Sequence, residues 1–236
     1  KKGMINLESP ELIMYLLKNC KTINELLFLV KKINIKLKTI QNVPLSLHWI
    51  VTDSKGLCYV LEVVNKKIKI YENKLGVITN SPSFPEQIKN QKKYNYLSKY
   101  TKPNSWSQGS GALGLPGDVT ATSRFVRAYF YKKNAVIPTN GMNALLRILH
   151  NFDIPKGSVV DKQTGAKEVT EYTVVYNIND CKMKYANYGN IYINGDWVPT
   201  DKPVKLCNKN NDLIKKYIYF FIILLLLAII IKKLIN

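Results

Sequence analysis

Acidic residues and histidine are scarce in this chain. Its 236 residues hold 16 Asp and Glu against 35 Lys and Arg, with only two histidines. The four cysteines, at 20, 58, 181 and 207, form no C-x-x-C pair, and His48 and His150 stand in no metal-like spacing with them. No zinc site or other metal centre is expected from that ligand supply, and no cofactor. The sequence also lacks an N-x-S/T acceptor, a signal-peptide pattern at its start and any internal repeat. Nothing therefore marks it for secretion, and a chain this long needs no disulfide staples. Reduced thiols in an intracellular setting are the expectation.

The shortage of acids leaves a formal charge of +19. Such an excess raises nucleic acid or an anionic membrane as a partner. The charge is mostly lysine, however, scattered along the whole chain rather than gathered in a patch. That pattern is a composition bias that solvates many faces, and no specific nucleic-acid partner is expected. Apolar residues make up 46% of the chain, enough for a folded core and too much for a disordered one.

What is present in abundance is one apolar run near the end, KKYIYFFIILLLLAIIIKKLIN. Tyr217 to Ile231 contains fifteen residues without a charge, bracketed by Lys215, Lys216, Lys232 and Lys233. As a helix it is about 22 Å long against a hydrocarbon core of about 30 Å. Snorkelling lysines, Leu234 and Ile235 extend that reach, and Tyr217 and Tyr219 suit an interface. A buried core helix would keep a polar face, and this run has none. The expectation is a single-pass C-terminal tail anchor at 217–231, with the body of the protein cytoplasmic.

Upstream, Ser9-Pro10-Glu11 suits a helix start, with Leu12, Ile13, Leu16 and Leu17 as its apolar face. Thr22 and Glu25 read as a capping box opening a second helix to about Lys32, and Asn42-Val43-Pro44 closes the helical region. The period then changes. Residues 47–53, 58–64, 68–73 and 76–80 are short β-rich runs, with turns at Asp53-Ser54-Lys55-Gly56 and Asn65-Lys66-Lys67, as in an antiparallel meander. Residues 84–97 read as a polar helix, and 121–133 and 141–152 as two more. Residues 171–178, 182–188 and 190–194 return to strands. Helices, strands, helices, strands in that order predict a segregated α+β fold.

GSGALGLPGDVTATSRF, residues 109–125, opens with glycines spaced as in a dinucleotide-binding loop. That reading fails on context. No convincing strand precedes it, Leu115-Pro116-Gly117-Asp118 would stop a helix, and YKKNAV offers no acid for a ribose. The glycines instead predict a tight irregular loop that delivers a helix carrying Ser123-Arg124-Phe125 at its start. An arginine there suits fixed positive charge toward a nucleophile or an anionic group.

LGLPGDVTATSRFVRAYF (113–130) resembles the matching segment of the choloylglycine hydrolase family, which includes bile salt hydrolases and penicillin V acylases. PLSLHWIVTDSKG (44–56), LGVITNSPSFPEQIKN (75–90) and EYTVVYNINDCKMKYANYGN (171–190) are similar to other family segments in the same order, from about residue 10 to 195. The resemblance implies a four-layer αββα sandwich of the N-terminal-nucleophile hydrolase type. It implies hydrolysis of a linear amide C–N bond, in which a cysteine at the mature N-terminus attacks the carbonyl and its own α-amine is the base. Two site residues carry over. Asn80, in Thr79-Asn80-Ser81-Pro82, would hydrogen-bond near the oxyanion or the nucleophile's amine. Arg124 would lie beside the nucleophile and tune its ionisation. Read from the residues alone, Asn80 is a turn residue satisfying its own backbone before Pro82.

The pattern breaks at the start. KKGMIN carries no cysteine, and Cys20 and Cys58 read as structural. The expectation is the C-terminal part of a membrane-anchored amide hydrolase, inactive without an upstream Cys segment. A separate chain supplying that segment, a homo-oligomer, or a catalytically dead relative serving as a membrane-anchored binding or structural protein stay open. The expected layout is a hydrolase-like domain over 1–198, a polar linker over 199–214 and a membrane anchor over 215–236.

Overall fold

The computed structural model describes residues 3–40, 43–44, 47–53, 55–65, 67–102, 109–139, 141–177, 182–187, 192–193, 196–197 and 200–205. The described residues fall into two units, one ending at Ile88 and the other beginning at Lys89.

In the first unit β1 (Ile5–Glu8) leads through a 3-10 turn (Ser9–Glu11) into α1 (Leu12–Asn19), α2 (Ile23–Val30) and β2 (Ile33–Lys36). Leu12 and Leu16, four apart, put one helix face into the core. The Thr22 hydroxyl accepts a bond from the Glu25 N–H at 3.2 Å, so the predicted cap forms. Its return bond reaches one residue further, from the Lys21 N–H to the Glu25 carboxylate at 2.6 Å. The helical reading up to Asn42 is corrected here. Helix stops at Val30, and Ile33 and Ile35 then point inward at the two-residue period of a strand. β2 pairs in parallel with β1, Ile5 opposite Ile33. Two short strands, β3 (Thr39–Ile40) and β4 (Val43–Pro44), then pair antiparallel.

β5 (His48–Thr52), β6 (Cys58–Val64) and β7 (Lys67–Glu72) form the expected antiparallel meander. The Asp53 carboxylate accepts from the Lys55 and Leu57 N–H groups at 2.9 and 3.0 Å and closes the first turn. One sheet face, with Trp49, Val51 and Leu61, joins the buried side chains of α1, α2 and β2 in a single apolar core. The other face buries Ile50, Val60 and Glu62. The fourth predicted strand, 76–80, forms no ladder among the described residues. The Asn73 side chain takes over the partner's role, donating to the Val77 carbonyl at 3.0 Å and accepting from the Gly76 N–H at 2.8 Å.

α3 (Phe84–Lys92) carries the chain into the second unit. There α4 (Ala121–Asn134) starts at Thr120, whose hydroxyl accepts from the Ser123 N–H at 3.3 Å. α5 (Met142–Leu149) runs into a 3-10 turn (His150–Phe152) and packs Met142 and Leu146 on Val175 of β8 (Tyr172–Asn177). β9 (Lys182–Asn187) pairs antiparallel with β8 on one side. β10 (Tyr192–Ile193) and β11 (Asp196–Trp197) make a two-residue ladder. β12 (Thr200–Lys205) then completes the order β12-β9-β8. The stretch read as linker from residue 199 thus begins as a strand, where Thr200 and Val204 find partners on β9. Each unit covers one face of an antiparallel sheet with helices, which makes the fold α+β as predicted. Among the described residues no helix is long and apolar enough to cross a membrane, and the predicted anchor at 217–231 lies outside them.

Candidate active site

The two predicted site residues fall in different units. Asn80, in the first, is half-buried in the turn between β7 and α3. Its surroundings are built by side chains reaching from α3 and β6. Gln87, 1% exposed, donates one amide to both the Thr79 hydroxyl at 3.1 Å and the Asn80 carbonyl oxygen at 3.0 Å. One carboxylate oxygen of Glu62 accepts from the Phe84 N–H at 2.7 Å, where α3 begins with unpaired donors. Ser83 is held to Glu86 by its N–H and its hydroxyl, at 3.1 and 2.5 Å. The Asn80 main chain is thereby fixed in its turn.

Glu62 is buried, and its second oxygen has no partner among the described residues. That burial raises its pKa, the Phe84 N–H opposes the rise, and Glu86 adds to it. Tyr71, whose ring stands 6.1 Å from that of Phe84, is likewise pushed up by burial and by Glu62.

Arg124 occupies the first turn of α4 in the second unit and is 6% exposed. Its Nε donates to the Val119 carbonyl at 3.0 Å. Burial lowers its pKa, Arg127 one turn on lowers it further, and Glu168 pulls the other way. An arginine remains charged through such a shift, so the site keeps a fixed cation. Arg127 fastens the loop before the helix, donating from Nη1 to the Pro116 and Asp118 carbonyls at 2.7 and 2.6 Å. Its guanidinium lies 5.5 Å from the Phe152 ring. The Asp118 carboxylate accepts from the Ser123 hydroxyl at 2.6 Å and from the Thr120 hydroxyl and N–H at 2.5 and 3.0 Å. Led by the Ser123 bond, this network holds its pKa down to about 2.

Glu62, Gln87, Asp118 and Arg127 went unread in the sequence. Glu62 carried the clearest signal, as the single charge in CYVLEVV. Arg127 repeats Arg124 at i+3, the spacing that brings two guanidinium groups to one helix face. No group of three or more His, Cys, Asp or Glu among the described residues is disposed to hold a metal ion. Cys20 is buried with its thiol raised to about 11, mainly by desolvation and then by Glu25, which suits a structural thiol. Cys58 lies in β6 at intermediate burial.

The architecture defines the class. A crystal structure of a variant of conjugated bile acid hydrolase from Clostridium perfringens matches this fold with a TM-score of 0.74 at 26% identity, covering 94% of this chain and 69% of that one. The fold is accordingly that of the N-terminal-nucleophile bile acid hydrolases. A family model described as linear amide C-N hydrolases, choloylglycine hydrolase family, matches residues 1–201, and the chain belongs to that family. An uncharacterized protein of Paramecium bursaria Chlorella virus 1 is 37% identical over 196 residues, covering 78% of this chain and 70% of that protein. A bile salt hydrolase/transferase of Lactiplantibacillus plantarum is 36% identical over 208 residues, covering 80% of this chain. The chain spans 62% of the length of that bacterial relative.

Proposed function

We propose that this chain is the C-terminal portion of a hydrolase of linear amide C–N bonds with a four-layer αββα fold. Its cysteine nucleophile would come from a segment outside residues 1–236. In that reading the thiolate adds to the amide carbonyl and an oxyanion forms. Collapse breaks the C–N bond as the leaving amine takes the proton held by the nucleophile's α-amine. Water then cleaves the thioester and releases the acid. Arg124 supplies the fixed cation that favours the thiolate, and the Asn80 side-chain amide donates to the oxyanion or to the nucleophile's amine. The observation that carries the reading is a desolvated Arg124 locked on the Val119 carbonyl, at the motif position where the family resemblance puts an active-site arginine.

The proposed substrate class is an amphipathic N-acyl amide, in line with the activity named for the bacterial relative. The test is amine release from a glycine-conjugated bile salt and from penicillin V. Residues 1–236 alone should release none, and the same chain joined to, or mixed with, its native upstream segment should turn over at least one of them. Turnover by residues 1–236 alone would refute the external nucleophile. No turnover by the extended protein on any N-acyl amide would leave a membrane-anchored binding protein as the better account.

The uncharged run 217–231 is proposed as a single-pass anchor that leaves the body in the cytosol. Alkaline carbonate extraction should leave the protein in the membrane pellet, and protease added outside sealed cells should spare it. Release into the supernatant would remove the anchor from the proposal.

A further inference from the structure

α4 has a second face. On a helix of about 100° per residue, Val126, Tyr129, Phe130 and Lys133 lie about 140–240° around the axis from Arg124. They form one wall of a cavity of about 450 Å³, within the range of small-molecule sites. The segment from Gln91 to Tyr100 forms the other wall, so the cavity belongs wholly to the second unit. Val126 and Phe130 lie almost wholly buried beneath it, 1% and 8% exposed, and the surface it offers is more polar than apolar.

The rim is basic and aromatic. Lys99 Nζ stands 5.3 Å from the Tyr100 ring, and Lys133 Nζ stands 6.0 Å from the Tyr129 ring. No lining residue is acidic, and neither lysine has an ion pair among the described residues. Two cations beside aromatic rings, with no counter-charge, favour an anion that brings its own apolar surface.

The wall that carries Lys99 is held by the glycine loop. The Ala112 N–H donates to the Ser98 carbonyl at 2.6 Å, and the Lys102 N–H donates to the Ser110 hydroxyl at 2.8 Å. Gly111 lies so close to the Lys99 carbonyl that a Cβ would collide with it. Binding would then cost little ordering of this wall.

We infer that this cavity binds a small organic anion with a flat body, the body against the Tyr100 and Tyr129 rings and the anionic group at Lys99 and Lys133. The site uses neither Asn80 nor Arg124, so it stands or falls independently of amide hydrolysis.

Calorimetric titration of the full chain with naphthalene-2-sulfonate tests this, with the neutral naphthalene-2-sulfonamide as comparison. The sulfonate should bind one saturable site, and added salt should weaken it. Affinity should fall at least about fivefold in the Lys99→Gln/Lys133→Gln double variant, with melting temperature unchanged. A Lys55→Gln/Lys67→Gln control, at exposed positions of the first unit, should bind as the parent does. Equal weakening in the control would reduce the effect to general charge attraction and overturn the site. Equal binding of the sulfonamide would overturn the anion requirement, and absence of sulfonate binding would overturn both.

Discussion

The Glu62 side chain reaches across 22 positions of sequence to accept the Phe84 N–H at 2.7 Å. A buried carboxyl on β6 thus starts α3 and, through that helix, sets the turn that carries Asn80. Burial raises the Glu62 pKa, so the folded state holds its proton more tightly than the unfolded chain does. Its contribution to stability is therefore full below the ordinary glutamate value and falls as pH rises through the raised one. Melting temperature should drop with rising pH more steeply in the parent than in Glu62→Gln, which keeps an acceptor for Phe84 and cannot ionise. Glu62→Ala should cost about 1–3 kcal/mol by leaving that N–H buried without a partner. Parallel pH curves for parent and Glu62→Gln would show that this carboxyl does not ionise in the window.

Asp118 has the opposite sign. Its pKa is held from 3.8 down to about 2 by Ser123 and Thr120. The ionised form belongs to the fold, so its stabilisation is full above the unfolded value and is lost as pH falls through the folded one. Asp118→Asn should melt lower than the parent at neutral pH, and the gap should close as pH falls toward about 2. Thermal melts across acid pH check this, and a gap constant from neutral to acid would assign the effect to geometry rather than charge.

The residues that were legible in the sequence acted through local rules. His48–Thr52, Cys58–Val64 and Lys67–Glu72 alternate at the strand period between turn residues, and the meander followed. Thr22 caps the helix that follows it, as its spacing to Glu25 indicated. Non-local pairing was not legible. Ile33–Lys36 is a strand only because Ile5–Glu8 lies beside it, on the far side of two helices. Thr200–Lys205 needs β9, and at the start of 76–80 the Asn73 side chain bonds the Gly76 N–H and the Val77 carbonyl where a neighbouring strand was expected. At the site, motif resemblance carried Asn80 and Arg124. Their supports, Gln87 and Arg127, act through bonds to carbonyls seven to eleven positions away, which no short pattern encodes.

Arg124 separates charge from geometry. In the protein completed with its upstream segment, Arg124→Ala should lower turnover tenfold or more. Arg124→Lys keeps a cation but loses the planar Nε donor to Val119, so it should recover only part of that loss. A positioning role alone would leave the pH dependence of turnover unchanged. A charge role should shift the nucleophile's ionisation upward in Arg124→Ala, read as a displaced acid limb in the kcat/KM profile. Near-normal turnover in Arg124→Ala would sink the assignment.

Gly111 and Gly114 test what the glycine loop is for. Gly114 has φ of 89°, a left-handed backbone that a side chain would strain. Gly111 is constrained by space instead, since its α-carbon faces the Lys99 carbonyl at a separation no Cβ tolerates. Gly111→Ala must therefore move the 98–102 segment, breaking the Ala112-to-Ser98 main-chain bond. The expected loss is about 1–3 kcal/mol in stability, read by denaturant unfolding. The same variant should weaken naphthalene-2-sulfonate binding, because Lys99 and Tyr100 ride on the displaced wall. Neutral stability in Gly111→Ala would mean that the loop yields without cost, and the rigid-wall account of the cavity would then be wrong.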